Sequence, residues 1–308
     1  MYDFIGDIHG HADKLREILE KMGYSEGESG YSHPSRKAFF LGDFIDRGPK
    51  IRETLEIVRR MIDGGNAKAV MGNHEYNAIM FHYPEKAGGH LRKHLIKNIV
   101  QHYETLNQFK NRQEEYEDYL DWFLTLPLYF ETNEFRAVHA CWDSNHINYL
   151  RSVLKNDCLN DALLYEAVVE DSAIFHAVED TLKGRELRLP DGVHFEDKDG
   201  HIRHEYRIKW WENLENISYK ELSIEKIESL PDALVPTEFI SNANVYGPNE
   251  KPVFFGHYWL DHKIQPDFFR NNICCLDYSV AKKGFMAAYR FDGEQVLDLE
   301  KRFLVRSA

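Results

Sequence analysis

Six residues of metal-binding type each follow a short apolar run in this sequence. They are Asp7 and His9 in "FIGDIHGH", Asp43 in "KAFFLGD", Asn73 in "AKAVMGN", His139 in "FRAVHA" and His257 in "PVFFGH". Imidazoles mixed with carboxylates suit manganese, iron, zinc, cobalt or nickel, whereas calcium would want more oxygens and fewer imidazoles. Two cations held together need a shared anion to offset their repulsion, and Asp43 is the natural bridging carboxylate. Paired metals about 3.5–4 Å apart can activate a water and clamp both ends of an in-line displacement at phosphorus.

Taken one at a time, these motifs have plainer explanations. Gly-Asp and Asn-Gly pairs are common at strand ends. "GDFIDRGP" can be a turn stabilised by an Asp-Arg pair, and "GNHE" can be a helix start capped by Asn73. Chance explains the whole set poorly, because the motifs occur in order and each follows an apolar strand.

The elements that must position them come next. "YDFI" reads as a strand, followed by a helix in "HADKLREILEKM" with Leu15, Ile18, Leu19 and Met22 on one face. Residues 23–36 read as a loop. "IRETLEIVRRMID" has helical spacing at Ile51, Leu55, Val58 and Ile62. Strands alternating with helices predict an α/β layered fold. In such sheets ligands sit beyond the carboxyl ends of strands, so five strand ends converge on one site.

Residues from about 78 to 127 read as helical and polar, with His90 and His94 four apart on a basic helix face and "EEYEDY" as a solvated acidic face. A block at about 142–250 inserts between two core strands. Within it "DALLYEAVVEDSAIFHAVEDTL" reads as helical, His201 and His204 as surface residues, and Trp210 and Trp211 as anchors for the insert. The last 36 residues read as three strands joined by turns.

Composition narrows the function. A net charge of −13 over 308 residues argues against general binding to nucleic acid or to an anionic membrane. It leaves an anionic substrate open, since bound metal reverses the local sign. The start, "MYDFIGD", has neither a basic region nor a long apolar stretch, so no signal peptide is expected. No run of about 18 apolar residues suggests a membrane span. Cys141, Cys158, Cys274 and Cys275 lack disulfide or zinc-ribbon spacing, which fits reduced thiols in a cytoplasm.

As a combination, "GDIHG", "GDFIDRGP", "GNHE", "VHA" and the late "GH" resemble the motifs of the calcineurin-like metallophosphoesterases. The resemblance is strongest to the phosphoprotein phosphatase branch and to its bacterial relatives that hydrolyse diadenosine tetraphosphate. It covers roughly residues 1–140 and 250–300, and the spacing of 36 residues from Asp7 to Asp43 and 30 from Asp43 to Asn73 suits that branch.

The resemblance implies a four-layer αββα sandwich with two mixed β-sheets, formed as a single domain over 1–308. It implies that Asp7 and His9 bind a first divalent metal with bridging Asp43, while Asn73, His139 and His257 bind a second, again with Asp43. Manganese is the first choice of ion. Arg47, with Asn73 beside it, would bind substrate phosphate, a task that suits a guanidinium fork. His74 would protonate the leaving oxygen, oriented by Asp46, and a metal-bridging hydroxide would attack.

Some residues depart from the family pattern. Cys141 stands where the family has glycine, and Tyr258 and Trp259 follow the last histidine. No segment matches the second phosphate-binding arginine of the protein phosphatases, although Arg203 and Arg207 lie in the insert.

The expected activity is a serine/threonine-phosphatase-like metallophosphatase acting on phosphoprotein or a small phosphorylated molecule. The alternative is a dinucleoside polyphosphate hydrolase of the diadenosine tetraphosphatase type. An inactive metal-binding interaction module is the reading from another class; it would be expected to have lost a ligand, His74 or Asp46, and all are present.

Overall fold

The computed structural model describes residues 1–196, 200, 202–236, 245–261 and 269–307. Tyr2–Ile5 (β1) leads into Ala12–Lys21 (α1), which buries Leu15, Ile18 and Leu19 as their spacing predicts. The expected loop at 23–36 instead contains a hairpin of Ser25–Gly27 (β2) and Gly30–Ser32 (β3). Its polar strands lack the alternation that would have marked them. Lys37–Phe40 (β4), Ile51–Asp63 (α2), Ala67–Ala69 (β5) and Asn73–His82 (α3) follow. The cap of α3 is Gly72, one residue before Asn73.

Next come Ile96–Phe109 (α4), Gln113–Phe123 (α5), Tyr129–Glu131 (β6) and Arg136–Val138 (β7). Residues 90–95 are not helical, against expectation. Leu91 N–H bonds to Tyr83 O and Arg92 N–H to Met80 O, so these two backbone groups pair with the end of α3 instead of forming a helical turn. The His90 and His94 rings stack at 4.1 Å, and His94 also stacks on Phe81 at 3.8 Å. The acidic face of α5 is partly paired as well, since Glu115 meets Arg52 and Asp118 meets Arg59 from α2.

The block after β7 holds Ser144–Val153 (α6), Asp161–Glu166 (α7) and Ala173–Lys183 (α8). The helical reading at 161–182 breaks into two because Ser172 caps a new helix by accepting from Phe175 N–H. Glu186–Arg188 (β8) pairs with Glu205–Arg207 (β11), and Phe195–Glu196 (β9) with Ile202–Arg203 (β10); Tyr219–Leu222 (α9) follows. Residues Leu187, Tyr206, Ile208, Tyr219 and Leu222 belong to a second, smaller apolar cluster. Trp210 and Trp211 are buried in the main core, and the Trp210 indole N–H donates to Ala140 O at 3.1 Å. His204 is exposed, while His201 lies outside the described residues.

Val253–Phe255 (β12), Ile273–Cys275 (β13), Asp277–Tyr278 (β14), Phe285–Phe291 (β15) and Arg302–Arg306 (β16) complete the chain. The end therefore has four strands rather than three. The unseen break is at Leu276, where the chain leaves one sheet for the other: β13 pairs with β12, and β14 with β15.

The first mixed sheet has the order β14-β15-β1-β4-β5, with β16 also on β15; the second has the order β13-β12-β7-β6. In the first sheet β1, β4 and β5 are parallel and β15 runs antiparallel to β1; in the second β13, β12 and β7 are parallel and β6 is antiparallel to β7. The sheets pack face to face through aromatic rings. Phe4 of β1 stacks on Phe254 of β12 at 3.7 Å, and Phe135, just before β7, meets Phe4 edge-on at 4.9 Å. With helices outside both sheets, this is the four-layer arrangement expected. No helix of the described residues is long and apolar enough to cross a membrane.

Phe4 and Phe254 are both fully buried. Replacing Phe254 by Ala should cost about 3–5 kcal/mol of stability, read as a lower urea midpoint at an unchanged m-value.

Candidate metal centre

Every ligand candidate lies just beyond a strand. Asp7 and His9 follow β1, Asp43 follows β4, Asn73 opens α3 after β5, His139 follows β7 and His257 follows β12. The glycines that end these runs have a steric reason. A Cβ on Gly256 would lie 1.9 Å from Asp7 Oδ1, and one on Gly72 would lie 2.3 Å from Asp43 Oδ1. One strand end can pass that close to another's carboxylate only without a side chain.

The structure brings all six together, none more than 7% exposed. His9 Nδ1–H donates to Ile45 O at 3.0 Å. Its Nε2 lone pair therefore faces Asp43 Oδ2 at 3.6 Å and Asp7 Oδ2 at 3.9 Å. His139 repeats the device, with Nδ1–H donating to Leu41 O at 2.7 Å. Its Nε2 faces Asn73 Oδ1 at 3.0 Å and Asp43 Oδ1 at 3.4 Å, and His257 Nδ1 is 2.8 Å from the same Asn73 oxygen. Asp43 thus turns one oxygen to each group of ligands.

This donor set fits two cations. Lone pairs converge in each half, and His9 Nε2 and His257 Nε2 have no hydrogen-bond partner although buried. Electrostatics agree. Burial, with the Asp277 and Asp43 charges, pushes the Asp7 carboxyl well above its usual range. Burial and Arg47 push the His9 imidazole down, and burial and Arg207 do the same to His257. Bound cations would offset the repulsion between the carboxylates and engage the imidazole lone pairs.

His74, Asp46 and Arg47 stand beside the first half. His74 Nδ1 is 2.5 Å from Asp46 Oδ2, and its Nε2 is 3.3 Å from Arg47 Nη2 and 3.9 Å from Asp43 Oδ2. Ring nitrogens of His74 and His9 and a carboxylate oxygen of Asp43 all lie within 4.8 Å of one another. Arg47 is partly buried and lies flat on the Trp259 ring, 3.6 Å from its centre. Asp46 and Arg47 both adopt left-handed backbone, with φ of 66° and 68°.

Several residues escaped the sequence reading. Glu75 Oε2 accepts from Asp43 N–H at 2.8 Å and Gly72 N–H at 3.1 Å; Oε1 accepts from Phe44 N–H at 2.8 Å and Ile45 N–H at 3.3 Å. Burial and the Asp43 charge push its carboxyl up to about 8. Asp277 accepts from Trp259 N–H at 2.7 Å and so fixes the residue beneath Arg47. It carried a usable signal, since it too follows an apolar strand in "ICCLDY". His102 and Thr105 of α4 bond to Asp46 and carried none.

A family model described as calcineurin-like phosphoesterase matches residues 2–224. The chain belongs to that family. A 74-residue stretch is 42% identical to the asymmetrical bis(5'-nucleosyl)-tetraphosphatase of Halalkalibacterium halodurans, covering 24% of this chain and 30% of that protein. A 139-residue stretch is 32% identical to the protein of the same name from Bacillus thuringiensis, covering 44% of this chain and 55% of the relative. The chain thus spans 30% of the length of the first of these relatives and 55% of the second. A symmetrical bis(5'-nucleosyl)-tetraphosphatase from Buchnera aphidicola matches at 27% identity over 309 residues, 95% of each chain.

Replacing Asp43 by Asn should lower occupancy of both metal positions, while replacing His257 by Ala should spare the first. Elemental analysis after dialysis against manganese checks this. Unchanged content in the Asp43 variant would refute the shared ligand.

Proposed function

We propose that this chain is a dinuclear-metal phosphohydrolase whose substrate carries a polyphosphate, a dinucleoside polyphosphate first. The observation that carries the proposal is Asp43, whose two oxygens face two separate sets of lone pairs. Asp7, His9 and Asp43 would hold one divalent ion, and Asp43, Asn73, His139 and His257 the other. Manganese is the first candidate among the ions that suit this set. When bound, the pair supplies Lewis-acid charge and lowers the pKa of the attacking water.

The chain's own groups do the rest. The Arg47 guanidinium, flattened against Trp259, is restricted in rotation and presents its N–H groups to phosphoryl oxygens. His74 hands a proton to the departing oxygen. Asp46, bonded at Nδ1, keeps the ring in the orientation that aims Nε2 at the reacting centre. A module that had lost activity would have no use for this dyad.

Two observations favour a polyphosphate. The Arg207 charge is felt at His257, although its guanidinium also lies 3.8 Å from Glu186, so a second cation besides Arg47 acts on the centre. The relatives at 42% and 32% identity are both named tetraphosphatases. The phosphomonoester reading, the first expectation from the sequence, becomes the second, and what favours it is a dyad that best serves a basic leaving oxygen.

A panel of diadenosine tetraphosphate, phosphopeptide, nitrophenyl phosphate and an aryl diester, run with added manganese, tests the proposal. Diadenosine tetraphosphate should give the highest kcat/KM, and prolonged chelation should abolish turnover. Full activity in verified metal-free protein would refute the mechanism. Replacing Arg207 by Ala should raise KM for the tetraphosphate more than for nitrophenyl phosphate while metal content holds. Replacing His74 by Asn should cut kcat about 10²-fold or more for alkyl phosphates and far less for nitrophenyl phosphate. Loss of metal from that variant would make His74 a ligand instead.

A further inference from the structure

α4 has two unlike faces. Ile96, Ile99, Val100 and Tyr103 are exposed. On the opposite side His102, Thr105 and Gln108, spaced by three, face the loop after Asp43. Gln108 holds the loop by its backbone, accepting from Ile51 N–H at 2.7 Å and donating to Gly48 O at 3.1 Å.

His102 and Thr105 instead reach the Asp46 carboxylate. Thr105 Oγ1 donates to Asp46 Oδ1 at 2.6 Å and accepts from Asp46 N–H at 3.1 Å. His102 Nδ1–H donates to the same Oδ1 at 2.7 Å. Its tautomer is set from behind by the Tyr116 hydroxyl of α5, which donates to Nε2 at 2.6 Å. Both residues are buried, His102 at 4% exposure and Thr105 at 0%, so neither touches substrate.

We propose that His102 and Thr105 are positioning residues: by occupying Asp46 Oδ1 they leave only Oδ2 for His74 and so fix the direction of the proton donor. This rests on the reading of His74 as that donor. A carboxylate with both oxygens free could rotate and offer either one. Two donors on one oxygen remove that freedom, and the bond from Asp46 N–H to Thr105 pins the left-handed backbone at the same residue. Fastening α4 to the body would need only Gln108; the contacts to the carboxylate serve its orientation.

The test uses the metal-loaded chain with T105V, H102L and the conservative pair T105S and H102N, which keep a hydroxyl and a donor near the Nδ1 position. H74N serves as reference. On phenyl phosphate, whose leaving group is basic, T105V and H102L should lower kcat about tenfold or more. KM and metal content should stay unchanged, and the loss on 4-nitrophenyl phosphate should be below about threefold. T105S and H102N should recover most of the loss. In proton NMR, the low-field Nδ1–H signal of His74 should move in T105V and H102L and return in the conservative variants. Valine is isosteric with threonine, so the Thr105 pair decides the matter if H102L does not fold. Equal losses on both esters, loss of metal, or an unmoved signal would overturn the proposal. If H74N itself treats both esters alike, the donor reading falls, and the NMR signal alone decides whether α4 positions the ring.

Discussion

A single buried carboxylate, that of Glu75, holds together the two loops on which the centre is built. β4 and β5 are neighbours, and the backbone beyond each must leave the sheet with N–H groups that have lost their ladder partners. Glu75 takes four of them, from Gly72, Asp43, Phe44 and Ile45. A typical hydrogen bond is worth about 0.5–1.5 kcal/mol net. Together they offset the roughly 1–3 kcal/mol of strain expected at one left-handed residue such as Asp43, whose φ is 53°. Because Glu75 sits in the first turn of α3, the same bonds lock the helix start. Asn73 and His74 are thereby presented from a fixed point.

Everything else in the centre answers the charge this arrangement concentrates. Four carboxylates, Asp7, Asp43, Glu75 and Asp277, are buried within one region of an already acidic chain. Against its own burial, Asp43 is held well below the usual carboxylate range by His139 and His74. Asp7, buried beside the Asp277 and Asp43 charges, is driven the other way. The imbalance is what a pair of divalent ions would relieve, on a protein of net charge −13.

The alternation of apolar runs and helices made the layered fold legible, and the convergence of five strand ends could be foreseen, because both depend on periodicity and on residues adjacent in sequence. The failures have physical causes. The β2–β3 hairpin is too polar to show alternation. Leu91 and Arg92 bond to the end of α3, a tertiary choice that local propensity cannot reveal. The strand break at Leu276 depends on which sheet has a free edge. His102 and Thr105 looked like any polar helix residues, since their meaning lies in Asp46, more than fifty positions away. Glu75 was quoted in "GNHE" yet carried no chemistry that would single it out, because its partners are backbone groups and leave no trace in sequence.

His9, Asp43, Asp46, Arg47 and His257 all hold left-handed backbone, with φ between 46° and 73°. Each is a position that glycine would occupy more comfortably. Folding and function therefore pull in opposite directions at the same residues. A breeding scheme that rewarded heat resistance alone would reach for these sites and hollow out the centre while the sandwich around it grew sturdier. A lineage keeps these five side chains only while turnover itself is selected, so their persistence in a descendant would record continuous use.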